Sequence, residues 1–196
     1  MPPKCKFTRQ EVVQAALDMT KESGIISVTA RALGERLGSS SRPIFSLFQS
    51  MQEVHQEVIQ AADALYQDYL KRETTAGEYP PYKASGVAYI RFAKNERELF
   101  KLLFMRDRST EQIDDNPKEL EFIIKAITKS TGLSEQDAYR FHLEMWVYVH
   151  GIATMIATSY LEFDWDTIDQ MLSDEFMGLK YAFLERSQTN GSNQDN

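Results

Sequence analysis

The 196-residue chain has a single cysteine, Cys5, so it has no internal disulfide and no cysteine-rich zinc site. A reducing cytoplasm is the compartment expected of such a chain. Only three histidines occur, His55, His142 and His150, and none has a glutamate three residues before it. The Glu-x-x-His pairs of a carboxylate di-iron bundle are therefore missing, as is any HExxH zinc motif. His142 and His150 are eight residues apart, about 80° around a helix, and read better as packed polar groups than as a metal pair. No run approaches the roughly 20 uninterrupted apolar residues of a membrane span. Met1-Pro2-Pro3-Lys4 leads into no apolar segment, so a secretory signal is not expected. Neither an enzyme nor a cofactor or metal is expected from these absences.

What is present is an apolar content of 42%, ample for a core, and an uneven distribution of charge. Residues 1–50 hold seven basic and four acidic side chains, whereas the chain as a whole carries 22 basic and 29 acidic ones for a net charge of −7. A basic head on an acidic body is the asymmetry expected when one end alone meets nucleic acid. Three units follow: residues 1–50 as a head, 51–186 as a helical body, and 187–196 as a polar, disordered tail. Lys4 and Lys6 precede the first helix, as an arm touching DNA or as a solubilising tail.

Within the head, Thr8 and Glu11 fit a capping box, and Phe7 with Val12 fits the accompanying hydrophobic staple. Val12, Val13, Ala16, Leu17 and Thr20 then form a helical stripe that Ser23-Gly24 stops. The stretch TARALGERLGSSSRPIFSLF, from Thr29 to Phe48, reads as two short helices joined by a glycine turn. Leu33 and Leu37 lie on one face of the first, Gly34 sits where the helices approach closely, and Gly38 turns the chain. In the second, Ile44, Phe45 and Phe48 recur at helical spacing as an apolar underside. Ser41, Arg42, Ser46 and Leu47 make the outer face. With Ser40 as N-cap, Pro43 falls at N3, where its missing amide hydrogen costs the helix nothing.

Such a layout is that of a DNA-reading helix-turn-helix. Arg42 has the forked donors that pair with guanine O6 and N7, unless it contacts phosphate or is simply solvated. Ser41 and Ser46 add hydrogen bonds, and Leu47 a thymine-methyl contact; Pro43, Phe45 and Lys6 are counted with them as DNA-binding residues. Thr29 and Ser40, at helix N-termini, are placed for phosphates.

The segment from Phe7 to Val54 resembles the N-terminal domain of tetracycline-repressor-like (TetR-type) transcriptional regulators. The resemblance rests on Ala15-Ala16-Leu17, Gly24, Val28-Thr29-Ala30-Arg31, Leu37-Gly38 and Ile44-Phe45 with Phe48. It implies a cytoplasmic, homodimeric repressor that binds a palindromic site in double-stranded DNA and releases it on taking up a small-molecule effector. Two departures stand out. The family usually has a tyrosine at Phe45 and a lysine near Met51, both holding phosphates, and this chain lacks both groups. The alternative is therefore a helical protein-interaction module whose degenerate helix-turn-helix no longer binds DNA tightly.

Beyond the head, helix follows helix: Glu53 to Glu73, Ala84 to Lys94, Glu96 to Arg106, Pro117 to Ser130, Ser134 to about Glu162, and Thr167 to Arg186 capped by Asp164 or Asp166. No alternating strand pattern appears. The fold class is all-α with about nine helices, a three-helix helix-turn-helix domain followed by a helical ligand-binding and dimerisation domain.

The last two long helices are apolar on several faces and need partners on several faces. Tyr148, Ile152, Ile156, Leu172, Phe176, Leu179 and Phe183 are assigned to an isologous four-helix interface, the family's usual mode, with a monomer core as the alternative. Tyr66, Tyr69, Tyr89, Phe92, Phe104, Trp146 and His150 either line an effector pocket or form plain core. Trp146 with His150-Gly151 resembles a feature of one TetR subgroup.

Overall fold

The computed structural model describes residues 6–107, 109 and 117–192. Lys4, Cys5 and the last four residues of the expected tail lie outside them. Among the described residues all regular structure is helical: α1 (Arg9–Ser23), α2 (Ala30–Arg36), α3 (Arg42–Phe45), α4 (Met51–Ala76), α5 (Pro81–Asn95), α6 (Arg97–Phe104), α7 (Pro117–Thr131), α8 (Glu135–Ala157) and α9 (Trp165–Ser192), with a 3₁₀ turn at Ile25–Ser27. The all-α class and the nine α-helices expected from periodicity are those observed.

Packing divides the chain into two compact units, with breaks between Tyr69 and Leu70 and between Arg91 and Phe92. The first unit runs past residue 50, taking in the first part of α4 and resuming at Phe92 to include α6. Its core is Val12, Ala16, Leu17, Val28, Leu33, Ile44, Phe48, Val54, Val58 and Ala62 with Phe92, Leu99 and Phe100, all buried. α1 packs on α2 and α6, and Lys21 reaches Glu96 at 3.3 Å. His55 Nε2 lies 2.9 Å from the Val28 carbonyl oxygen and satisfies the loop ahead of α2.

The second unit centres on Ile127, Leu133, Ala138, Phe141, Met145 and Phe183, through which α7 packs on α8 and α8 on α9. Lys83 bridges α5 to α9, 2.7 Å from Asp169 and donating to Ser173 Oγ at 2.9 Å.

Helix starts follow the side-chain caps. Thr8 and Glu11 form the full capping box of α1, and Ser134 accepts from the Asp137 amide at 3.1 Å. Asp164, rather than Asp166, caps α9 by accepting from the Thr167 amide at 2.7 Å. Helix ends follow less closely. α8 stops at Ala157, five residues before its expected end, where Ser159 takes a left-handed φ of 56°. Its amide donates to the Ile156 carbonyl and that of Tyr160 to the Met155 carbonyl, both at 3.0 Å. That pairing closes a helix in a Schellman turn, usually with glycine in the left-handed position. α9 in turn continues to Ser192, through part of the segment expected to be disordered. Extending an already nucleated helix adds one hydrogen bond for each residue fixed, so polar residues follow the anchored portion.

Candidate nucleic-acid interface and the faces of the helical body

The helix-turn-helix begins at Thr29, whose hydroxyl oxygen accepts from the Ala32 amide at 3.2 Å and caps α2. At Gly34 the two helices nearly touch. A Cβ there would lie 2.9 Å from the Ser40 carbonyl carbon and 3.0 Å from the Ser41 nitrogen, so hydrogen is the only side chain that fits. Gly38, at φ 61°, then reverses the chain. The cap of α3 differs from expectation. Ser41, not Ser40, precedes the helix and makes no side-chain cap bond, which puts Pro43 in the first turn one place nearer the helix start. Proline remains compatible there, because the first amides have no intrahelical acceptor.

α3 is a single turn, with Ile44 and Phe48 buried beneath it. Phe45 does not join that underside as its spacing suggested: it is 48% exposed, on the outer surface with Arg42 and Ser46, while Leu47 is half-buried. Ile44 and Phe48, four residues apart and joined by the Phe48 amide donating to the Ile44 carbonyl at 3.0 Å, set the buried side, and Phe45 falls about 100° round the helix from Ile44. The Ser46 hydroxyl donates to the Pro43 carbonyl at 2.6 Å. Ser40 is exposed and Ser41 and Pro43 are half-buried.

The head's positive charge is largely engaged. Arg9 donates to the Leu47 carbonyl at 2.9 Å and to Glu53 and Glu57, both at 2.6 Å, with its guanidinium 4.2 Å from the centre of the Phe48 ring. Glu57 and then Glu53 raise the Arg9 pKa through these bonds. One side chain thereby holds α1, the end of the turn that carries α3, and α4 together. Arg31 pairs with Glu35 at 2.9 Å and Arg36 with Glu22 at 2.7 Å. The Arg36 bond holds the Glu22 carboxyl below its usual range. Lys6 donates to the Gly38 carbonyl at 3.0 Å. Among the described residues of 6–50, Arg42 is the one basic side chain without a partner, and it is exposed. Sequence reading missed the Arg9 clamp, because its acceptors lie 38, 44 and 48 residues further along the chain.

The pocket candidates divide between the two units. In the first, Tyr66 meets Phe92 and Phe104 at centroid distances of 5.4 and 5.3 Å, Tyr69 meets Phe92 at 5.4 Å, and Phe92 meets Phe104 at 6.4 Å. These edge-to-face rings are in contact with one another and fill the space among themselves. In the second, the Tyr89 hydroxyl lies 2.8 Å from His150 Nδ1, and Trp146 stacks on the His150 ring at 5.3 Å with 14° between planes. A parallel pair lies about two helical turns away, with the Tyr82 hydroxyl 3.1 Å from His142 Nδ1. Burial lowers both histidine pKa values and raises that of Tyr82.

The interface candidates differ in how far the single chain covers them. Ile152, Ile156, Leu172 and Phe183 are buried within the single chain, and Tyr148, Phe176 and Leu179 are half-buried. Residues already covered by their own chain have little area left for a partner. The exposed apolar stripe on α8 is instead Tyr139, Leu143, Trp146 and Val147, the last 63% exposed, and α9 adds Met177 and Tyr181. An open groove of about 410 Å³ between the two helices is lined by Leu143, Glu144, Val147, Tyr148 and Glu175. Tyr148 is held above its ordinary pKa by burial and by the nearby Glu175 and Asp174 carboxylates. No helix among the described residues is long and apolar enough to cross a membrane.

These features define an all-helical protein with a helix-turn-helix at its N-terminus. Residues 82–176 match the family model described as "Tetracyclin repressor-like, C-terminal domain". Among solved structures the chain is similar to a point variant of TetR from Acinetobacter baumannii AYE in complex with minocycline. The TM-score is 0.52 at 20% identity, over 94% of this chain and 98% of that one. No curated protein sequence matches the chain. Residues 82–176 thus carry a tetracycline-repressor-like C-terminal domain, and the chain shares the fold of that TetR structure over nearly its whole length.

Proposed function

We propose that the chain is a sequence-specific regulator of transcription, a cytoplasmic homodimer that binds a palindromic double-stranded DNA site through two α3 faces and represses until a small-molecule effector enters its body. The observation that carries the reading is the outer surface of α3. Arg42 stands there exposed and without a partner, on a turn held rigid by buried Ile44 and Phe48, the Gly34 contact and the Arg9 clamp. A forked donor presented on a fixed turn suits guanine in a major groove. Thr29, Ser40, Ser41, Pro43 and Lys6 surround it as backbone-contacting groups.

Pairing of two chains rests on the exposed stripe of α8 and α9. Gly151 and Gly178 lie in these helices, and a Cβ on either would meet nothing within 4 Å. Glycine inside a helix costs about 0.5–1 kcal/mol relative to alanine, and the chain's own packing does not call for it. Close approach of a partner's helices does. The effector is assigned to the helical body, where Tyr89, His150 and Trp146 offer aromatic surface with polar handles. Engagement of Arg9, Arg31 and Arg36 by acids favours the second reading, an interaction module with weak DNA affinity.

The test is selection of random-sequence duplexes on the full-length protein at low salt, together with sedimentation of wild type and Val147→Glu. An enriched palindrome, a wild-type dimer, and a folded V147E monomer with lost DNA binding are expected. Failure to enrich any sequence would favour the interaction module.

A further inference from the structure

We infer, on the DNA-binding reading above, that Phe45 reads the C5 methyl group of a thymine beside the base that Arg42 contacts. Both count as DNA-binding residues, but spacing within α3 suggests Leu47 for the apolar base contact and puts Phe45 on the underside. The structure exposes Phe45 more than Leu47. Leu47 is half-buried and its carbonyl accepts from Arg9, whereas the Phe45 ring is 48% exposed. Arg42 and Phe45 are three residues apart and share a helix face, so a groove that meets one meets the other.

The chemistry of that face narrows the target. Phe45 has no hydroxyl to give a phosphate, and an apolar ring against a charged oxygen loses hydration without a compensating bond. The thymine methyl is the apolar group that the major-groove edges of the base pairs present. Ser46, the neighbouring polar candidate, already donates its hydroxyl to the Pro43 carbonyl. Direct readout by α3 therefore divides into one charged fork and one apolar ring. The resulting half-site contains a guanine and, within a base pair or two, a thymine.

The probe is the duplex enriched by selection on full-length wild type, with each thymine replaced in turn by deoxyuridine, which removes only the methyl group. One position in each half-site is expected to lose affinity by about fourfold, the worth of one buried methyl. Phe45→Ala should bind the parent duplex correspondingly more weakly and be indifferent to that replacement. The replacement scan on wild type requires no variant to fold, and unchanged helical ellipticity qualifies F45A. Uniform indifference of wild type to every replacement would overturn the inference, as would a methyl effect that survives in F45A. If no duplex is enriched, the DNA-binding reading itself fails, an outcome distinct from either of these.

Discussion

At the scale of single residues, Gly34 sets how closely α2 approaches the turn into α3. Its missing Cβ leaves room for the Ser40 and Ser41 backbone, which cannot retreat as a flexible side chain does. Gly34→Ala is therefore expected to destabilise the first unit by about 1–3 kcal/mol, the usual cost of overpacking, with a matching fall in the urea midpoint. An unchanged midpoint would show that the turn relaxes freely. Gly34, Gly38, Thr8 and Thr29 were legible in the sequence, because a glycine contact or a side-chain cap is a local event. Ser159 was not: a serine in the left-handed position carries no compositional mark, so the end of α8 was placed too late. Placing Phe45 on the apolar underside failed for a related reason. Which side of α3 is covered is set by the tertiary packing of Ile44 and Phe48, and Phe45 lies off that side.

At the scale of elements, the contact of α5 with α8 is unusual in carrying two tyrosine–histidine pairs, Tyr82 with His142 and Tyr89 with His150. Burial lowers both histidine pKa values from 6.5 in the folded protein. Between the lowered values and the ordinary one the unfolded chain binds more protons, so stability rises with pH across that window. The second unit should thus lose stability as pH falls below about 6.5, seen as a lower urea midpoint at pH 5.5 than at 7.5. His142→Gln and His150→Gln together should flatten the difference, and an equally steep dependence in the double variant would assign the effect elsewhere. Carboxylates with lowered pKa, such as Glu11 and Glu22, act in a separate window below 4.5. The amphipathic stripes that mark α8 and α9 as helices were plain from spacing. Which stripe is covered was not: Ile152, Ile156, Leu172 and Phe183 serve the chain's own core, while Leu143 and Val147 remain exposed.

At the scale of the whole molecule, the quantity on which the proposed DNA binding depends is the charge left unpaired, not the charge counted along the chain. Arg9, Lys21, Arg31 and Arg36 are all ion-paired, which leaves Lys6 and Arg42 as the described basic residues of the head without an acidic partner. With about two phosphates neutralised per head, a dimer should show a slope of log Kobs against log salt of about −4. A filter-binding titration on the selected duplex measures it directly. A slope near −10 would mean that these ion pairs open to engage phosphate.

The sequence by itself determined the helical class, the helix-turn-helix with its caps and turns, and the contrast between a basic head and an acidic body. Each of these follows from residues within a few positions of one another, or from composition. Only the tertiary structure decided that Arg9, Arg31 and Arg36 are already engaged, that Phe45 is more exposed than Leu47, and which face of α8 and α9 stays exposed. Periodicity establishes that a helix has an apolar face. Whether that face meets the core or solvent depends on segments far away in the chain, such as Glu53 and Glu57 closing on Arg9 or α7 covering α8.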